Sequence, residues 1–139
     1  PYDNYPLPQN GNCFNAALSE RCGSREFRHT VRNEWLPRLR AFKPQLILLS
    51  AGFDAHRDDP LGDTRLHEVD YAWLTHKIMQ TAPQCGGKIV SVLEGGYHPP
   101  SLAAAAAAHL YVLAGLGKPP CAVEYEQLLK QEEEKNQAV

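Results

Sequence analysis

Two short apolar runs, Leu46-Ile47-Leu48-Leu49 and Ile89-Val90-Ser91-Val92-Leu93, frame a stretch whose apolar positions recur with helical spacing. The runs are rich in branched side chains and are preceded by Pro44 and by Gly86-Gly87, so they predict buried strands over 45–50 and 88–93. Between them Val69, Tyr71, Ala72, Trp73, Leu74, Ile78 and Met79 predict a helix from Glu68 to Ala82, stopped by Pro83. These residues wrap more than one face, which predicts a helix covered on two sides. Strand, helix and strand in this order make a βαβ unit with parallel strands and a right-handed crossover.

The flanks extend the pattern. Ser24 suits a helix N-cap, and Phe27, Val31, Trp35, Leu39 and Phe42 follow at helical spacing. Pro37 should kink or restart that helix, because its ring removes a backbone donor and clashes with the preceding turn. Beyond the second strand, Pro99 suits the first position of a helix that runs through six consecutive alanines to Leu113. Small side chains of high helix propensity predict a helix that packs closely on the sheet. Gly115 and Gly117 end it, Pro119-Pro120 reads as a linker, and Glu124–Lys135 reads as a charged helix fraying into the terminus. Residues 1–23 look irregular. The organisation is therefore an irregular segment over 1–23, a domain over 24–117, and a linker with a charged tail over 118–139.

The length of 139 residues is about that of one domain. Pro1 in place of methionine, with Pro6 and Pro8 close behind, suggests a chain that begins inside a larger protein. No apolar stretch reaches the roughly 20 residues of a membrane span and no leader is visible, so a soluble, intracellular protein is expected, cytoplasmic or nuclear. Cys13, Cys22, Cys85 and Cys121 form no C-x-x-C pair, which predicts free thiols rather than a zinc ribbon or a disulfide scaffold. The net charge of −2 conceals a basic stretch, seven Arg or Lys in residues 21–43, and an acidic tail. A solvated helix surface accounts for the basic stretch, and no direct nucleic-acid partner is indicated.

The chemistry lies in the turns after the two strands. Gly52-Phe53-Asp54-Ala55-His56 follows the first, and Glu94-Gly95-Gly96-Tyr97 follows the second. In an α/β sheet both turns fall at the carboxyl edge, which brings Asp54 and Tyr97 close together. Taken alone, an aspartate after a strand is a turn former and a Gly-Gly-Tyr turn is a tight connection. Together they suggest a carboxylate able to hold a metal and a phenol able to donate to an oxyanion.

Ser50-Ala51-Gly52-Phe53-Asp54-Ala55-His56 with Asp59-Pro60-Leu61, then Asp70-Tyr71, then Leu93-Glu94-Gly95-Gly96-Tyr97, resembles the C-terminal part of the histone deacetylase family. The class II and bacterial deacetylase-like amidohydrolase branch is the nearest match, over about residues 24–116. The resemblance implies the C-terminal half of an arginase/deacetylase fold, a parallel sheet with helices on both faces. It makes Asp54 a Zn²⁺ ligand and Tyr97 the hydroxyl that steadies the tetrahedral oxyanion. Leu61 would line the acyl-lysine channel, Gly95 and Gly96 would shape the loop that aims Tyr97, and Asp59 would brace the metal loop. Asp54-Ala55-His56 imitates an Asp-x-His zinc pair, but in this family that pair belongs to the earlier half of the domain, so His56 is assigned a supporting place in the loop. The substrate implied is an acetylated protein, histone or otherwise, or a small acetylated amine.

The chain also departs from the family. It has no His-His pair to activate water and no second Asp-x-His, so a lone Asp54 leaves the zinc site incomplete and the segment inactive by itself. A non-catalytic interaction or regulatory module derived from a deacetylase is the alternative. His98 stands where the family has Asp or Asn, which are stronger helix caps, and Pro99-Pro100 fixes the turn that follows. The stretch 10–22 looks longer than its family counterpart.

Overall fold

A computed structural model describes residues 13–83, 87–117 and 119–137. Its elements are helix α1 (Ser24–Thr30), a π-helical turn (Val31–Trp35), helix α2 (Leu36–Phe42), strand β1 (Leu46–Ala51), helix α3 (Glu68–Thr81), strand β2 (Lys88–Leu93), helix α4 (Pro99–Leu113) and helix α5 (Ala122–Gln137). β1 and β2 pair in parallel, from Leu46 opposite Lys88 to Ala51 opposite Leu93. Residues 13–22 are irregular, as expected. The remainder of the predicted N-terminal segment and Cys85 fall outside the described residues, while Cys13, Cys22 and Cys121 are free.

At Pro37 the helix passes through a π turn into a new α segment, α2, that carries the proline in its first turn. The Leu36 N–H reaches back to the Val31 carbonyl, five residues earlier. This wider turn carries the chain past a proline that cannot donate in the regular pattern. Ser24 is not the N-cap; Gly23 occupies that position, and the Ser24 hydroxyl donates to Asp70 Oδ2 at 2.6 Å. The fully buried Asp70 also accepts Arg28 Nε–H at 2.7 Å and, in the first turn of α3, the His67 N–H at 2.9 Å. This carboxylate clamps α1 to α3.

The alanine helix packs mainly against α3 rather than the sheet, with Ala105 and Ala108 fully buried. α5 begins earlier and continues further than its charge pattern suggested, and Tyr125 and Leu128 bury against the core. Within the described residues the helices cover one side of the sheet. Ile47 and Ile89 turn toward them, whereas Leu46, Leu48, Val90 and Val92 turn away, with Leu48 70% and Val92 55% exposed. The strands read as buried are thus covered on one face by the described residues. The α/β class and the parallel pairing are as expected.

Candidate active site

Both turns leave the same end of the two-stranded ladder. The Glu94 N–H donates to the Ala51 carbonyl at 3.0 Å and the Phe53 N–H to the Gly95 carbonyl at 2.8 Å, so the pairing of the strands continues into the loops. This extension sets Asp54 against the glycine turn. A Cβ placed on Gly95 would lie 3.0 Å from Asp54 Oδ2, and one on Gly52 would lie 2.9 Å from Oδ1. The carboxylate occupies a cradle that only glycine leaves open. Among the described residues no donor is hydrogen-bonded to its oxygens.

Gly96 follows with φ of +136°, a conformation that L side chains rarely adopt, and a Cβ there would meet Leu102 Cδ1 at 2.8 Å. The turn delivers Tyr97 with its side chain 56% exposed. Leu61 on the facing loop is 72% exposed, so the two side chains expected to meet substrate both stand at the surface.

Asp59 joins the two loops. Its Oδ1 accepts the Leu61 N–H at 2.9 Å and its Oδ2 accepts the Tyr97 N–H at 2.6 Å. Burial pushes this carboxyl upward, but the backbone N–H groups of Tyr97, Leu61, Gly62 and His98 outweigh it and hold Asp59 below the usual carboxylate range. Asp59 thus ties its own loop to the backbone of Tyr97. At the same turn His98 caps α4 without a side-chain bond to the helix N–H groups; its ring meets Ser101 Oγ at 3.1 Å, and that hydroxyl donates back to the His98 carbonyl.

His56 is buried and packs between this loop and the start of α3. Its Nδ1 accepts the Asp58 N–H at 3.2 Å, its Nε2 lies 3.4 Å from Glu68 Oε1, and its ring stands edge-on to His67. Asp58 itself is solvated, 53% exposed.

Three residues near the site carried no role in the sequence reading. Gly52 forms half of the Asp54 cradle, which its position two residues ahead of the aspartate could have signalled. Tyr71 donates its hydroxyl to the Phe53 carbonyl at 3.1 Å, and burial together with the nearby charge of Asp54 pushes its pKa well above the ordinary phenol value. His109 of α4 is buried between Thr75 and Ser91. An apolar groove of about 1260 Å³ opens beside the site, lined by Phe27, Leu36, Ile47 and Ile78 among others, but neither Asp54 nor Tyr97 borders it.

A catalytic zinc takes three protein ligands and keeps one position open. Among the described residues no group of three or more His, Cys, Asp or Glu side chains could hold a metal ion. The described residues therefore do not by themselves make such a set.

The comparison with known proteins decides the family. The histone deacetylase domain model matches residues 4–113. The chain belongs to the histone deacetylase family. It is 50% identical over 88 residues to type-2 histone deacetylase 2 of Dictyostelium discoideum, a match covering 63% of this chain and 5% of that protein. With histone deacetylase 15 of Arabidopsis thaliana it shares 37% identity over 106 residues, 76% of this chain and 19% of that one. Among solved structures, the HD domain of HDA15 superposes with a TM-score of 0.64 at 36% identity, covering 70% of this chain and 27% of that chain. The histone deacetylase Clr3 gives a TM-score of 0.63 at 31% identity, covering 70% and 16%. This histone deacetylase segment thus spans under a third of the length of each of these relatives, and it shares their α/β fold.

Proposed function

We propose that this chain is the C-terminal portion of a zinc-dependent deacetylase that hydrolyses N-acetyl amides, foremost acetyl-lysine in a histone or another protein, with small acetylated amines as the other substrate class. One observation carries the reading: in a member of the histone deacetylase family, the carboxylate of Asp54 lies directly against the glycine turn that leads to Tyr97. Asp54 is one zinc ligand, and the remaining ligands and the histidine base come from outside this chain. A bound zinc acidifies water and polarises the amide carbonyl. Tyr97 donates its hydroxyl to the acyl oxygen as negative charge develops there, a contact that strengthens toward the transition state. Leu61 borders the acyl chain. Asp59 holds the Leu61 and Tyr97 backbones at a fixed separation, so the apolar wall and the donor keep their spacing. The work takes place in the cytoplasm or nucleus, and the chain alone is inactive.

The test uses a complete deacetylase domain that contains this segment. Tyr97→Phe should lower turnover of an acetyl-lysine peptide by roughly 10²–10³ with zinc content unchanged, the loss expected for one oxyanion donor. Asp54→Asn should lose zinc, because it removes an anionic ligand. Undiminished turnover in the first variant, or undiminished zinc in the second, would overturn the corresponding role. Zinc bound without turnover in the unaltered domain would favour the regulatory alternative.

A further inference from the structure

Phe53, the residue ahead of Asp54, is held on every side. Its N–H donates to Gly95, its carbonyl accepts the Tyr71 hydroxyl, and its ring lies 5.2 Å from that of Tyr71 and 5.9 Å from that of His109. Little freedom is left for the next residue in the chain. The support behind the ring is itself fastened. His109 Nδ1 lies 2.6 Å from Thr75 Oγ1, and His109 Nε2 lies 2.9 Å from Ser91 Oγ.

The protons in this relay follow from counting donors. The Thr75 hydroxyl has one proton, and it is donated to the Tyr71 carbonyl at 2.6 Å. Thr75 Oγ1 can then meet His109 only as an acceptor, so Nδ1 carries the imidazole proton. Nε2 is left with its lone pair and accepts the Ser91 hydroxyl. The groups that face the ring are Thr75 of α3, Ser91 of β2 and Phe53 after β1, all uncharged. Burial also lowers the His109 pKa, which keeps the imidazole neutral.

We propose that His109 is a positioning residue for the candidate site: locked as the Nδ1–H tautomer between Ser91 and Thr75, it backs the Phe53 ring and thereby fixes the Asp54 carboxylate against Gly95. The inference rests on the reading of Asp54 as a functional carboxylate. Its test requires neither metal nor substrate, so the two readings can fail separately.

In the 139-residue chain, two-bond ¹H–¹⁵N correlations should show His109 as the Nδ1–H tautomer at neutral pH. His109→Ala should speed exchange of the Phe53 amide by at least ~10-fold and shift the Asp54 carboxyl ¹³C resonance, while leaving that of Asp70 in place. Asp70 is the control because its partners are Ser24, Arg28 and His67, outside the relay. His109→Asn, whose amide can still donate to Thr75, should restore both readings. A wild-type Nε2–H tautomer would overturn the proposal without any variant. So would an unmoved Asp54 in His109→Ala, an Asp70 shift as large as that of Asp54, or a failure of Asn to rescue.

Discussion

Replacing Asp59 by Asn tests the bridge between the two loops with almost no change in volume. The shortest backbone bonds to Asp59 fall one on each oxygen, at 2.9 Å from Leu61 and 2.6 Å from Tyr97. Whichever way the Asn amide turns, one of those N–H groups faces an NH₂ group and the other keeps a neutral acceptor. Bonds to a charged group contribute about 1.5–3 kcal/mol each and neutral ones about half as much, so the variant should lose about 2–4.5 kcal/mol. Urea unfolding followed by tryptophan fluorescence would measure this, since Trp73 is fully buried and reports loss of packing. The pH dependence supplies a second reading. The folded-state pKa of Asp59 lies below its unfolded value, so its contribution is fully present above about pH 4 and is lost as pH falls through the folded pKa. The gap between wild type and variant should therefore hold at neutral pH and narrow below about pH 4. A difference under about 0.5 kcal/mol at pH 7, the range of an indifferent surface substitution, would refute the bridge.

Arg28→Ala removes the cation beside the fully buried Asp70 and should destabilise the chain by about 3 kcal/mol, measured in the same urea experiment. Gly96→Ala must adopt φ of +136° and push Leu102 aside, so a loss of about 1–3 kcal/mol is expected, with amide shifts in the crystal-free spectrum concentrated at Tyr97 and α4. Leu48→Lys places a charge where the side chain is already 70% exposed; stability should change by less than about 0.5 kcal/mol while light scattering at high concentration falls.

The βαβ unit was legible because its signals are local: two apolar runs, a helix between them, and a proline or glycines at each boundary. The two turns were legible for the same reason, since Asp54 and Tyr97 each follow one strand of the parallel pair. Other features depend on partners that periodicity cannot see. Ser24 looks like a cap in sequence, but Asp70, 46 residues away, takes its hydroxyl. His109 lies in an alanine helix with nothing nearby in sequence to mark it, and its partners come from α3 and β2. The apolar run of β1 correctly indicates a strand and says nothing of which face this chain covers.

The wide turn at Val31–Trp35 bears on how chain length is counted along this helix. A π turn takes up one more residue than an α turn while the segments on either side keep their phase toward the core. Deleting one residue from 31–35 would bring Phe27 and Leu36 together through a regular helix, but Pro37 would then set its ring against the carbonyl four residues earlier. The extra residue and the proline therefore belong together. A chain without the proline should favour the shorter spacing, and an alignment gap in this helix is best placed at the π turn.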